Sequence, residues 1–273
     1  MIIDAHQHFW QIGRPDHEWP TPELASIFRD FDEDDYRDAA PGIAKSVLVQ
    51  AQPRDSDTDW LLAAARASDR IAGVVGWADL SADTIGTRVA ELSKQTKLKG
   101  LRPMLQGLAD DEWVLRDSVK PGLKVMTDNG LRFDALIHPR HLPVIDRLAR
   151  LWPELAIVID HCAKPAIGQD DGGAWRDALA RAANNSNVYC KLSGLVTETA
   201  DTKAIDAVTA YADHVFDLFG PDRILWGSDW PVVTLRCPLT AWLDWTQTWL
   251  AGKTASAGDL ILGDTARRFY HLN

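Results

Sequence analysis

Eight short apolar runs alternate with stretches of helical periodicity along the whole of this 273-residue chain, and few folds accept that order. An opening strand carries Asp4, His6 and His8, and further runs occupy residues 44–52, 71–77, 98–104, 131–138, 156–161, 188–193 and 224–229. Between them, Thr21-Pro22-Glu23 reads as an N-cap with proline at the first helical position. Ser56-Asp57-Thr58-Asp59 reads as a capping-box-like start to a helix carrying Trp60, Leu61, Leu62 and Ala65. Further helices are expected over residues 83–94, up to a turn at Asn129-Gly130, and through Leu142, Ile145 and Leu148. Ile205, Val208, Ala212, Val215, Phe216 and Phe219 form another helical stripe, and amphipathic segments from Ala241 and Asp259 finish the chain. Strands alternating with helices imply a parallel sheet, and eight such units imply a single (β/α)8 TIM-type barrel. No repeat, low-complexity tract or long Pro/Gly/Ser linker interrupts the series, so one domain over residues 1–273 is expected.

Composition narrows the function classes. Hydrophobic residues at 46% and charged residues at 25% allow a sizeable core and argue against disorder. A formal net charge of −10 lacks the clustered Lys and Arg of a nucleic-acid footprint, although it leaves room for an anionic small substrate in a local basic pocket. Cys162, Cys190 and Cys237 have no Cys-x-x-Cys spacing and are odd in number, so buried reduced thiols are expected rather than a zinc ribbon or disulfide framework. Asp4 arrives before any signal-like apolar region, and no run of 18 apolar residues occurs. A soluble cytoplasmic protein that binds neither nucleic acid nor membrane follows, and a homo-oligomer is compatible with it.

The polar residues worth attention sit where the apolar runs stop. In chain order these ends supply His6 and His8, Gln50 and Gln52, Trp77, Arg102, His138, His161 with Lys164, Lys191 with Ser193, and Asp229 with Trp230. In a barrel they gather at one mouth, the carboxyl face where loops vary over a rigid scaffold. Residues i and i+2 of a strand share a face, so His6 and His8 can meet one ion or one substrate. His161 closes its run as either a rim residue or a functional one. Asp4 reads as an outer acceptor for a metal-binding histidine or as a plain structural hydrogen bond. Arg102, kept extended by Pro103, suits a carbonyl or carboxylate anchor. Lys191 either points into the barrel mouth or suffers desolvation. His138 reads equally as a substrate contact and as a surface turn residue.

These residues carry a family resemblance. His6-Gln7-His8, Leu48-Val49-Gln50, Val75-Gly76-Trp77, Gly100-Leu101-Arg102-Pro103, Asp160-His161-Cys162-Ala163-Lys164-Pro165, Cys190-Lys191-Leu192-Ser193-Gly194 and Gly227-Ser228-Asp229-Trp230-Pro231 together resemble the amidohydrolase superfamily, in its lactonase group. Trp19 to Glu23, Phe28 to Phe31, Phe133 to Leu136, Pro139 to Pro143 and Lys191 to Glu198 are most similar to L-fuconolactonase and L-rhamnonolactonase-like sugar lactonases. The likeness runs nearly the whole chain, down to Arg268-Phe269-Tyr270. It implies a (β/α)8 barrel that hydrolyses the internal ester of a sugar acid.

Carried over residue by residue, the resemblance makes His6, His8, His161 and Asp229 the counterparts of the superfamily's metal-binding set. Arg102 stands where two-metal members carry a bridging Lys or Glu, so at most one divalent ion is expected. Three imidazoles and a carboxylate suit zinc, without making the metal essential to activity. Lactone hydrolysis needs a base for water, a clamp for the oxyanion and a proton for the leaving oxygen. Asp229 is the candidate base; Arg102, His161 and Lys191 are candidates to polarise the carbonyl. Gln52, His138, Lys164, Ser193 and Trp230 are candidates to hold the substrate. The alternatives are a decarboxylase or a dicarboxylate-lactone hydrolase on the same barrel, or a noncatalytic sugar-acid-binding barrel.

Overall fold

The computed structural model describes residues 1–169, 172–199, 205 and 207–273. Strands β1 (Ile3–Gln7), β2 (Lys45–Val49), β3 (Ile71–Gly76), β4 (Leu98–Leu101), β5 (Arg132–Ala135), β6 (Ile157–Ile159), β7 (Val188–Leu192) and β8 (Ile224–Trp226) lie in sequence order in one parallel sheet. The ring closes just beyond β8, where Asp229 N–H donates to His6 O and His8 N–H donates to Trp230 O, both at 2.8 Å. Helices α1 (Glu33–Ala39), α2 (Asp55–Arg66), α3 (Ile85–Leu92), α4 (Lys120–Asp128), α5 (Leu142–Leu151), α6 (Gly173–Ala183), α7 (Thr209–Phe219) and α8 (Leu239–Ala251) each follow a strand. The architecture is the expected (β/α)8 barrel. Among the described residues no helix is long and apolar enough to cross a membrane.

Two apolar layers hold the barrel. The larger lies between sheet and helices, with Leu48, Val74, Leu101, Ile157 and Trp226 facing residues such as Leu61, Leu123, Leu148 and Trp242. The smaller fills the amino-terminal end of the barrel: Val47, Val49, Val75, Val158 and Leu225 meet Phe269, Tyr270 and Leu272, which end the helical tail formed by α9 (Ala257–Asp259), a π-turn (Leu260–Asp264) and α10 (Thr265–Tyr270). With that end plugged, the carboxyl ends of the strands are left to form a mouth.

Local signals were met unevenly. Gly130, at φ 65°, closes α4 in a Schellman turn: Leu131 N–H reaches Met126 O at 2.9 Å and Gly130 N–H reaches Thr127 O at 3.0 Å. Thr21-Pro22-Glu23 opens only a 3-10 turn, Pro22–Leu24, with no side-chain cap. The capping box expected at Ser56 is absent, because α2 starts at Asp55, the Ser56 hydroxyl donates to Asp16 and the Asp59 carboxylate accepts from Arg88 at 2.8 Å. A capping box forms instead at Asp32, whose carboxylate accepts from Asp34 N–H and Asp35 N–H. All paired strands are shorter than their apolar runs at the carboxyl end, which leaves Gln50, Arg102, His138, Ser193 and Asp229 on loops and His161 in a 3-10 turn (Asp160–Ala163).

The seam between β1 and β8 depends on Asp4. Its buried carboxylate accepts from His6 N–H (3.0 Å), Ser228 N–H (2.8 Å), Ser228 Oγ (2.5 Å) and Tyr36 OH of α1 (2.8 Å). The β1–β2 register shifts between Asp4 and Gln7, so Asp4 meets α1 while His6, two residues on, meets Lys191 of β7 inside the barrel. Asp4 therefore holds the backbone of His6 and does not touch its ring.

Asp4→Ala strips four donors of their acceptor and should cost about 3 kcal/mol in urea unfolding, whereas Asp4→Asn retains acceptor and hydrogen-bonding capacity and should cost less. Burial lifts this carboxyl from 3.8 to about 6, against four lowering hydrogen bonds. The folded state then holds the proton to higher pH than the unfolded chain. The stability it contributes is full at pH below about 4 and is lost as pH rises through about 6. The stability gap between Asp4→Asn and the parent should accordingly move in the variant's favour over that window, read from unfolding midpoints at each pH.

Candidate active site

His6 and His8 leave the end of β1 towards the barrel axis, and their Nε2 atoms lie 3.1 Å apart. The loop after β8 brings Asp229 to them: Asp229 Oδ1 is 3.5 Å from His8 Nε2 and 3.8 Å from His6 Nε2. The loop after β6 brings His161 from the other side, with Nε2 3.8 Å from the same Oδ1. Residues 161–164 all have positive φ (52°, 52°, 61° and 52°), and Asp229 has φ 56°. Non-glycine residues hold such angles only where surroundings over-determine them. At His161 those surroundings include Gly194 (φ 64°), where a Cβ would stand 2.6 Å from His161 Nδ1. Only glycine permits the approach.

Each ring is oriented through its outer nitrogen. His8 Nδ1 lies 2.8 Å from Val49 O, and His161 Nδ1 lies 2.9 Å from Ser193 Oγ. His6 Nδ1 faces Lys191 Nζ at 3.1 Å and Asp160 Oδ1 at 3.5 Å. Below it, Lys191 Nζ also pairs with Asp134 Oδ2 at 2.5 Å and Asp160 Oδ1 at 3.0 Å, and Tyr270 OH donates to Asp134 Oδ2 at 2.6 Å. Arg102 joins from above, with NH1 3.4 Å from both Asp160 Oδ2 and His6 Nε2 and its other terminal nitrogen on Gln50 O.

Burial dominates the electrostatics. It lowers the His161 imidazole to about 4, despite the raising influence of Asp229 and Asp160. It lowers His6 well below the usual histidine value, with Lys191 adding to the effect. Both rings are neutral at pH 7. Burial alone would raise Asp229, but His161 and the hydrogen bond from His8 outweigh it and hold the carboxylate well below its usual range.

The mouth above opens into a cavity of about 240 Å³ whose wall includes His8, Gln52, Arg102, His161, Lys164 and Asp229. Lys191 is buried beneath His6 and does not reach that wall. Ser193 is engaged with His161, and Gln52 ties down the entry loop through Glu18 N–H, Trp19 N–H and Trp19 O. Trp230 packs among Phe9, Phe31 and Tyr36, and half-buried His138 stacks on His141; neither lines the cavity. Asp160 and Asp134 escaped the sequence reading. Their signal was a lone acid inside an apolar run, which becomes informative only when a distant lysine is known to face it.

The donor set fits a divalent ion. Four ligands at bonds of about 2.0–2.1 Å in a tetrahedron stand about 3.4 Å apart. His6 Nε2, His8 Nε2 and Asp229 Oδ1 are separated by 3.1 to 3.8 Å, and His6, His161 and Asp229 offer ligand atoms within 4.8 Å of one another.

A family model described as amidohydrolase matches residues 3–272. An L-fucono-1,5-lactonase of Burkholderia ambifaria is 41% identical over 99% of this chain and 96% of its own length, and an L-fucono-1,5-lactonase of Burkholderia multivorans is 34% identical over 100% and 96%. A solved amidohydrolase structure from Burkholderia multivorans with bound zinc superposes at TM-score 0.94 with 33% identity, covering 100% of both chains. Family, ligand cluster and zinc-bound neighbour together support a divalent metal at this mouth. The chain belongs to the amidohydrolase family.

Proposed function

We propose that this chain hydrolyses the internal ester of a sugar lactone, an aldonolactone of the L-fuconolactone kind, over one barrel domain spanning residues 1–273. The observation that carries the reading is a single carboxylate, Asp229, held ionised among three imidazoles on a cavity wall that Arg102 also lines. The names of the two lactonase relatives support the substrate class.

Asp229 takes a proton from water as its oxygen attacks the lactone carbonyl. Arg102 holds the carbonyl oxygen as it becomes tetrahedral, joined by the neutral His161 through Nε2–H when that nitrogen binds no ion; one such contact is worth about 3–4 kcal/mol. As the C–O bond of the ring breaks, the proton on Asp229 passes to the departing oxygen, leaving a sugar acid and an unprotonated carboxylate. Lys164 on the wall is placed for substrate hydroxyls, while Gln52 shapes the wall by holding the entry loop. Lys191, out of reach of the cavity, acts through His6. One ion, zinc by its ligand types, would be held by His6, His8, His161 and Asp229 and would supply Lewis-acid help to the carbonyl without being essential.

The wall also speaks to specificity. Among the described residues its cations are Arg102 and Lys164 and its acids are Glu18 and Asp229, a balanced set. A lactone carrying two carboxylates calls for a surplus of cations, whereas a neutral sugar lactone calls for donors and acceptors.

Asp229→Asn should fold normally and lose about 10²- to 10⁴-fold in turnover, because an amide cannot take the water's proton. A pH-stat assay on the parent's best lactone checks this, and turnover within a few-fold of the parent would remove Asp229 as base. Side-by-side kinetics should favour L-fucono- or L-galactonolactones. A pyrone dicarboxylate turned over with a kcat/KM about tenfold above every aldonolactone, a gap of about 1.4 kcal/mol, would overturn the substrate class. Dialysis against a chelator should take out no more than one ion per chain and leave measurable turnover; two ions, or a rate reduced to background, would contradict the mononuclear, metal-assisted reading.

A further inference from the structure

The barrel mouth has a second lobe. Beside the catalytic cavity, and sharing Glu18, Pro53 and Met104 with its wall, the loops after β1, β2, β3 and β4 enclose a cavity of about 510 Å³. The hydrolysis proposed above leaves this space without a use. Two half-buried indoles stand in its wall: Trp77, directly after β3, and Trp113, which opens a 3-10 turn (Trp113–Leu115). Among the described residues neither indole packs on another aromatic ring or on a cation, and neither indole N–H has a protein partner.

The fold fixes this wall. Trp77 N–H donates to Thr58 Oγ1 of α2 at 2.7 Å, and the same hydroxyl donates to Trp77 O at 2.8 Å. Further along the loop, α4 approaches the Leu80 main chain so closely that a Cβ at Gly122 would have no room. Between these anchors Asp79 Oδ1 accepts from Ser81 N–H at 2.9 Å and from Ser81 Oγ at 2.6 Å, which leaves Oδ2 for a further donor. On the other side Trp113 N–H returns to Asp110 O at 3.1 Å, and Val114 beside it is fully buried. A wall ordered in advance costs little more to occupy. Its charged residues are acids, Glu18 and Asp79, of which Glu18 already pairs with Arg54; among the described residues no Lys, Arg or His lines the lobe. An anion therefore meets no counter-charge there, whereas hydroxyls meet carboxylate acceptors. The indole faces carry partial negative charge and suit the C–H bonds of a sugar ring, which neighbouring oxygens polarise.

We infer that this lobe is a second sugar subsite, which takes a neutral sugar ring joined by a glycosidic bond to the lactone in the catalytic cavity, so that lactones of disaccharide acids are substrates. The shared wall of Glu18, Pro53 and Met104 sets the two rings side by side. Water still adds across the internal ester alone: the acyl C–O bond breaks, a carboxylate and a ring-derived hydroxyl form, and the glycosidic bond is untouched. The substrate class rests on the proposed lactone hydrolysis, but occupancy of the lobe is read by binding without turnover, so the two readings fail separately.

The probes are L-fuconolactone, its derivatives carrying a β-D-galactosyl group on each free hydroxyl in turn, and the acids to which these open. In ¹⁵N-tryptophan-labelled protein, with Trp77→Phe and Trp113→Phe samples assigning the indole N–H resonances, the acid of at least one galactosyl isomer should shift both resonances, and L-fuconate should shift neither. The lactone of that isomer should be opened with a kcat/KM about tenfold above L-fuconolactone, chiefly through KM. Trp113→Ala should abolish the gain and leave turnover of L-fuconolactone within about twofold of the parent. A glucuronosyl or benzyl group at the same hydroxyl should bring no such gain, since one is anionic and the other leaves the carboxylates without donors. Indole shifts without turnover of any lactone support the subsite and remove the hydrolysis. The inference is overturned by a galactosyl series that shifts neither indole, by a gain that survives Trp113→Ala, or by a glucuronosyl or benzyl gain as large as the galactosyl one. Where Trp113→Ala does not fold, the spectra of the labelled parent decide alone.

Discussion

One carboxylate at the seam of the barrel determines where the chemistry can sit. Asp4 binds the two main-chain segments that must meet for closure, the His6 N–H on one side and Ser228 on the other. Ser228 in turn accepts from Trp230 N–H through its hydroxyl at 3.0 Å. Trp230 is wedged among Phe9, Phe31 and Tyr36, and Tyr36 returns to Asp4. Asp229 lies between these two anchored neighbours and is forced into a left-handed backbone conformation that a free loop would leave. The aim of its carboxylate is thus a property of the seam.

A second constraint lies inside the barrel, where an ammonium, a guanidinium and two carboxylates are buried together. Burying such charges is expensive, and apolar residues of similar volume commonly give equal or greater stability. What the ions provide is direction. Burial pushes both Asp134 and Asp160 up, and Lys191 pulls both down, yet the outcomes differ: Asp134 ends raised and Asp160 well lowered. The asymmetry follows from the neighbours, because Asp160 also faces His6 and Arg102, which lower it, while the negative charge of Asp160 pushes Asp134 up. The fully ionic member therefore stands next to the cluster at the mouth, and the less acidic one stands next to the plug.

The barrel was legible in the sequence because strands buried on both faces leave apolar runs that side-chain alternation does not break. Their ends were not, since Gln50, His138 and Asp229 continue the run after pairing has stopped, and only the neighbouring strand decides where it stops. Spacing placed His6 and His8 on one face, and of the two readings open for Asp4 the plain structural hydrogen bond is the one found, because an irregularity in the β1–β2 register lies between Asp4 and Gln7. The ligand-type residues could be named from strand ends alone. The buried ion network could not, since Lys191 and Asp134 are 57 residues apart and nothing in either strand marks them as partners. The helix starts one residue before Ser56 for a related reason: Ser56 and Asp59 have tertiary partners, Asp16 and Arg88, that compete with a local capping box.

The cavity wall carries one more sign of what it is shaped to receive. Arg102 Nε and the Gln106 side-chain oxygen are buried polar atoms without a hydrogen-bond partner among the described residues, and both side chains line the cavity. A buried donor or acceptor left unpaired costs about 1–3 kcal/mol, which a bound molecule that pairs it recovers. One is a donor and the other an acceptor. A neutral polyhydroxylated ring carrying a single carbonyl can satisfy both, since its hydroxyls donate and accept at neighbouring positions. A site built to pair a hydroxyl rejects the analogue that lacks it more strongly than it rejects a change in apolar bulk.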